Sequence, residues 1–100
     1  MSFVVNILYQ GKDGSAQKFA QEMQESGLVE KIRAQVGNKR YEYYQPLDNP
    51  EAILLIDEWE NKQALDDHHK SPMMADIAKL RKKYHLKMQV KYFDPKDSLE

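Results

Sequence analysis

The side chains able to do chemistry are concentrated between Ile53 and Met74, in ILLIDEWENKQALDDHHKSPMM. Four apolar residues, Ile53 to Ile56, run into Asp57, Glu58 and Trp59, the only tryptophan of the chain. His68 and His69, two of the three histidines, follow on a stretch with helical spacing. A carboxylate and an imidazole brought to one apolar place can take a proton from a hydroxyl group, which is general-base work. Each residue also has a plainer use. Asp57 can pair with an arginine or cap a turn, His68 can sit on a half-buried helix face, and Trp59 can anchor a core while lining a pocket. The DDHH run (Asp66 to His69) does not read as a metal site, because neighbours on a helix diverge by roughly 100° and cannot close on one ion. No H-E-x-x-H, phosphate-binding glycine loop or dinucleotide fingerprint is present.

Composition narrows the field. The 100 residues carry 15 basic and 16 acidic side chains, a net charge of −1, so bulk charge points to neither nucleic acid nor membrane. Arg81-Lys82-Lys83 reads as a solvated helix end. The absence of cysteine excludes disulfides and thiolate chemistry and fits a reducing compartment. The opening MSFVVNILYQG lacks the basic start and long apolar run of a signal peptide. A cytoplasmic protein of one domain, 1–100, is expected, with 94–100 as a flexible tail.

These groups need a scaffold, and the periodicities supply one. Phe3 to Tyr9 reads as a strand, interrupted only by Asn6. From Ser15, the expected N-cap, Ala16, Phe19, Ala20 and Met23 recur at helical spacing. Ser26-Gly27 kinks that helix, Leu28, Val29 and Ile32 resume it, and Gly37-Asn38 ends it. Arg40 to Gln45 is a tyrosine-rich strand, Pro46 to Pro50 a turn, and Ile53 to Trp59 a buried strand. Asn61 caps the next helix. Ser71-Pro72 reads as a second cap, with proline at the first helical position, before a piece lined by Met73, Ile77, Leu80 and Tyr84. Lys87 to Phe93 alternates as a one-sided edge strand.

The order β-α-β-β-α-β predicts an α+β, ferredoxin-like antiparallel sheet with its helices on one face and the first and third strands central. Those two strands are apolar on consecutive positions, so the sheet face away from the helices also needs cover. A second copy packed sheet against sheet, a homodimer, is the economical solution.

The pattern NPE-x-ILLIDEW-x-N-x-x-ALDxH-x-x-SPM, with Gly14 and Phe19 ahead of it and Gly37 before the Tyr41 strand, resembles the antibiotic-biosynthesis monooxygenase family, particularly quinol monooxygenases. The resemblance covers residues 3–93. It implies a dimeric α+β barrel and oxidation of a small phenol or hydroquinone by O2, with no flavin, metal or haem. Many relatives carry a histidine after the Ser-Pro pair, where this chain has Met73. It also implies that the tryptophan side of its strand faces the pocket, so that Asp57 looks inward and Glu58 towards a partner subunit. The candidate catalytic set is then Asn6 as hydrogen-bond donor with Asp57 or His68 as base. Trp59, Leu55, Tyr41, Tyr43, Met73, Met74 and Ile77 are expected to bind the ring, and His69 to face solvent. The partners implied are a small aromatic substrate, O2 and a second copy of the chain. Two other classes stay open, a non-redox isomerase, which would require a cationic pocket, and a catalytically silent binding module.

Overall fold

A computed structural model describes residues 2–93, so the expected tail over 94–100 lies outside the described residues. The chain builds β1 (Phe3–Gln10), α1 (Ser15–Glu25), α2 (Leu28–Arg33), β2 (Asn38–Tyr44), β3 (Ala52–Trp59), α3 (Lys62–His69), α4 (Met73–Lys83) and β4 (Lys87–Phe93). The four strands form one antiparallel sheet in the order β2-β3-β1-β4, with β1 and β3 central as the apolar runs require. The helices cover one face. Among the described residues no helix is long and apolar enough to cross a membrane.

The register decides which side chains meet. Val5, Ile7 and Tyr9 of β1 stand opposite Asp57, Leu55 and Ile53 of β3, and opposite Tyr92, Val90 and Met88 of β4. Tyr41 and Tyr43 of β2 lie opposite Asp57 and Leu55. Because successive strand residues alternate faces, this whole set shares the helix side of the sheet. Val4, Asn6, Leu8, Leu54, Ile56 and Glu58 occupy the other side and are only partly covered by their own chain. On the helix side Trp59, Tyr9, Phe19, Met23, Ile32 and Leu55 fill the centre of the core. Burial of such side chains contributes about 1.5–3 kcal/mol each.

Helix boundaries follow local chemistry, with two corrections. Gly14, with φ 80°, is the N-cap of α1, and Ser15 is the first helical residue, its Oγ accepting from the Lys12 N–H. At α4 the N-cap is Pro72 itself, while Ser71 Oγ is buried with no partner among the described residues. Asn61 caps α3 as expected, its Oδ1 accepting from Ala64 N–H at 2.9 Å. Gly27, with φ 83°, separates α1 from α2.

Gly37 joins two parts of the fold closely. Its φ is 86°, its carbonyl accepts the Glu60 N–H at 2.7 Å, and a Cβ placed on it would stand 2.5 Å from Ala64 Cβ. Only glycine lets the start of β2 approach α3 this closely.

Candidate active site

Between the helix side of the sheet and α3 and α4 lies a cavity of about 150 Å³. That volume is about that of a protein cavity known to take one benzene ring. Its floor is Val5, Ile7, Tyr9, Leu55 and Asp57, with Tyr41 at one side. Met74, Ile77 and Arg81 line it from α4, His68 and His69 from α3, and Met88, Val90 and Tyr92 from β4. The described chain has a larger groove, about 500 Å³, between α1 and the end of β2, lined largely by glutamines. It lacks the buried acid and imidazole, so the smaller cavity is the chemical candidate.

Asp57 is 3% exposed, and its Oδ1 has no hydrogen-bond partner among the described residues. Burial penalises the carboxylate and raises its pKa from 3.8 to about 7, while the nearby Trp59 indole N–H pulls it down somewhat. That indole N–H closes no hydrogen bond of normal geometry among the described residues. The Tyr43 hydroxyl, buried near Tyr41 but not lining the cavity, also closes no hydrogen bond of normal geometry among the described residues. Buried polar atoms without partners are uncommon in folded proteins, so the Asp57 carboxyl on the cavity wall favours an arriving polar ligand atom or water. Burial raises the pKa of the Tyr9, Tyr41 and Tyr43 phenols, which keeps all three as neutral donors near pH 7.

His68 is also 3% exposed, and it stacks on Trp59 with ring centroids 4.7 Å apart and planes at 24°. Burial lowers its pKa from 6.5 to about 4, and the His69 charge adds to the effect. The ring is therefore neutral at physiological pH. Nδ1 stands 2.7 Å from Gln35 Oε1, which places the proton on Nδ1 and leaves the Nε2 lone pair free to accept.

Of the sequence-derived candidates, Asp57, His68, Leu55, Tyr41, Met74 and Ile77 converge on the cavity. Trp59, Tyr43 and Met73 stand behind that wall, packed in the core. Asn6 requires a correction. It pairs with Ile56 and points to the opposite side of the sheet, into a separate hollow with Leu8, Leu54, Gln89 and Lys91. It cannot donate into the cavity. His69 is exposed, as expected, but its ring borders the opening. Sequence reasoning missed Tyr9, Gln35 and Arg81. Arg81 follows Ile77 by four and Met74 by seven, a helical stripe that could have placed it. Arg81 is a cation on the cavity wall, although the run Arg81-Lys82-Lys83 reads as a solvated helix end. Among the described residues no cluster of three metal-binding side chains occurs.

The profile of the family described as "Antibiotic biosynthesis monooxygenase" matches residues 2–80. Solved structures share the fold. A conserved protein from Methanosarcina mazei Go1 superposes with a TM-score of 0.80 at 24% identity, covering 93% of this chain and 91% of that one. The protein Rv0793 from Mycobacterium tuberculosis gives 0.78 at 18% identity, covering 95% of each. A structure described as an antibiotic biosynthesis monooxygenase gives 0.74 at 22% identity, covering 92% and 96%. The curated proteins yield no match. With most of its length matched by the family profile and the fold shared throughout, the chain belongs to the antibiotic biosynthesis monooxygenase family.

Proposed function

We propose that this protein is a cofactor-independent monooxygenase that oxidises a small phenol or hydroquinone with O2. The observation that carries the proposal is a buried carboxylate, Asp57, facing a ring-sized, mostly apolar cavity. Family membership supports the reaction class.

Asp57 takes the hydroxyl proton, and the Tyr41 hydroxyl is a neutral donor on the same wall for the oxyanion. The anion, unlike the neutral phenol, transfers an electron to O2 readily. Recombination forms a carbon–oxygen bond, and cleavage of the O–O bond releases water. One oxygen atom enters the ring and the other leaves as water. For a hydroquinone all four electrons come from the substrate, two from quinol oxidation and two from the ring C–H. His68, neutral with Nε2 free, is positioned to accept a second hydroxyl proton.

The proposal includes a homodimer. The half-covered apolar residues Val4, Leu8, Leu54 and Ile56, on the side away from the helices, fit burial against a second copy. A cytoplasmic setting agrees with the lack of cysteine.

A second reading gains from Arg81, the cation that a non-redox isomerase acting on an anionic substrate would need. The lining is otherwise apolar and aromatic, which suits an aromatic ring better than a multiply hydroxylated sugar. Oxygen uptake with a panel of hydroquinones, without added cofactor and after exhaustive chelation, tests the proposal. Uptake that Asp57→Asn abolishes is expected; product isomerisation with no oxygen consumed would favour the second reading.

A further inference from the structure

We infer that Arg81 is a specificity-determining residue of this cavity and that the substrate is an aromatic acid: one hydroxylated ring carrying a carboxylate on a short arm. The inference rests on the proposed oxidation and adds the class of molecule that undergoes it.

The first ground is position. Met74, Ile77 and Arg81 form one stripe of α4 along the cavity, while the neighbouring cations Lys82 and Lys83 are exposed and do not line it. Arg81 is half-buried. A half-buried guanidinium normally meets a carboxylate or carbonyl oxygens. Here its hydrogen-bond partner among the described residues is the Met88 thioether, Nη1 to Sδ 3.4 Å. Sulfur is a weak acceptor, and guanidinium has five N–H donors, so most of its donor capacity is uncommitted by the described chain.

The second ground is separation. Asp57, the acid lining the cavity, does not neutralise Arg81; its pKa responds to burial and Trp59 and carries no resolved contribution from the arginine. Both groups act on Tyr9 between them, Arg81 offsetting part of the rise that burial imposes and Asp57 adding to it. The register sets their backbones at different levels. Asp57 lies at the level of Val5 and Tyr92, whereas Met88 lies at the level of Tyr9. Those levels are four strand residues apart, about 13 Å between backbone positions at about 3.3 Å per residue, and both side chains line the cavity that lies between. The base and the Met88 that holds the cation thus stand at different levels of one cavity, with Ile7 and Leu55 at the level between them. A molecule satisfying both ends needs a hydroxyl on a ring and an anion beyond it. A carboxylate matches the planar fork of guanidinium with two parallel hydrogen bonds.

The experiment uses two matched pairs on the intact protein: 2,5-dihydroxyphenylacetate and its methyl ester for oxygen uptake, and the redox-inert 2,5-dimethoxyphenylacetate and its ester for calorimetric binding. The acid should be preferred in both assays, by about 10- to 100-fold, the usual worth of a charge-assisted contact. Arg81→Met should collapse the acid-to-ester ratio, which is internal to each variant and so insensitive to general damage. Lys82→Met, the same change of charge on the solvent side, should keep it. Equal handling of acid and ester by the unmutated protein, or an unchanged ratio in Arg81→Met, overturns the inference even if oxygen is consumed. An Arg81-dependent preference for the inert acid with no oxygen uptake from any hydroquinone would leave the anion subsite standing and remove the proposed oxidation.

Discussion

The Nδ1 of His68 stands 2.7 Å from Gln35 Oε1, so a residue between α2 and β2 fixes the tautomer of an imidazole carried by α3. Gln35→Leu keeps the bulk and removes the acceptor. Imidazole 15N chemical shifts should then move from a pure Nδ1–H form towards a tautomer mixture. Turnover should fall, but less than the about 10²–10⁴-fold expected for loss of a general base. Unchanged shifts would show that Gln35 does not orient the ring.

The pH–rate profile should identify the base. The burial of both groups inverts their usual order, with Asp57 at about 7 and His68 at about 4. An aspartate base makes activity rise through pH ~7; a histidine base would already be fully active above pH ~5. We expect the first, with kcat reduced about 10²–10⁴-fold in Asp57→Asn. A profile that rises near pH 4 would transfer the role to His68.

Stability should carry the same signature with opposite signs. Between its ordinary 3.8 and about 7, Asp57 keeps a proton in the folded state that the unfolded chain has lost, so stability falls as pH rises. Between about 4 and its ordinary 6.5, His68 is neutral when folded and charged when unfolded, so stability falls as pH drops. Over their shared window the two slopes nearly cancel. In Asp57→Asn only the histidine slope remains, about 1.4 kcal/mol per pH unit from pH ~4 to ~6.5. The variant should also be more stable than its parent at pH 8, by up to ~4 kcal/mol, and close to it at pH 4. Chemical denaturation at both pH values measures this.

Trp59 lies fully buried, stacked under His68 and beside Asp57. Trp59→Phe should cost about 1–3 kcal/mol of stability. It also removes the indole N–H that pulls the Asp57 pKa down, so the midpoint of the pH–rate profile should move upward. Lost stability with an unmoved midpoint would assign the indole a packing role alone.

Assembly is tested by sedimentation. The protein should run at twice the 11.8 kDa chain mass at micromolar concentration. Ile56→Lys, on the side away from the helices, should give monomeric or aggregated protein, since obligate interfaces often bury more than about 2,000 Å². A well-folded monomer of the unmutated chain would refute the dimer.

What was legible in the sequence, and what was not, divides along physical lines. Helical spacing placed the helices, alternation placed β4 and the tyrosine-rich run β2, and the doubly apolar runs at Val4-Val5 and Ile53–Ile56 placed β1 and β3 at the centre. Parity within β3 put Asp57 and Trp59 on one side, as found. Parity cannot relate one strand to another, which takes the register, and Asn6 was misassigned for that reason. Its pairing with Ile56 turns it away from the cavity. Arg81 was hidden by Lys82 and Lys83, because three adjacent cations read as a solvated helix end although only one faces inward. The order of the Asp57 and His68 pKa values was equally out of reach, since it depends on burial by α3 and α4 rather than on residue type.

Gly37 touches no group in the cavity, yet the contact of its backbone with Ala64 sets how close α3 rides to the sheet. His68 is one turn beyond Ala64 on the same helix. The glycine thus acts as a depth gauge for the imidazole. Any side chain there would need room the fold does not have, and would lift the ring off the indole beneath it. Spacing between base and imidazole is therefore adjustable from outside the site, by a residue with no functional group at all.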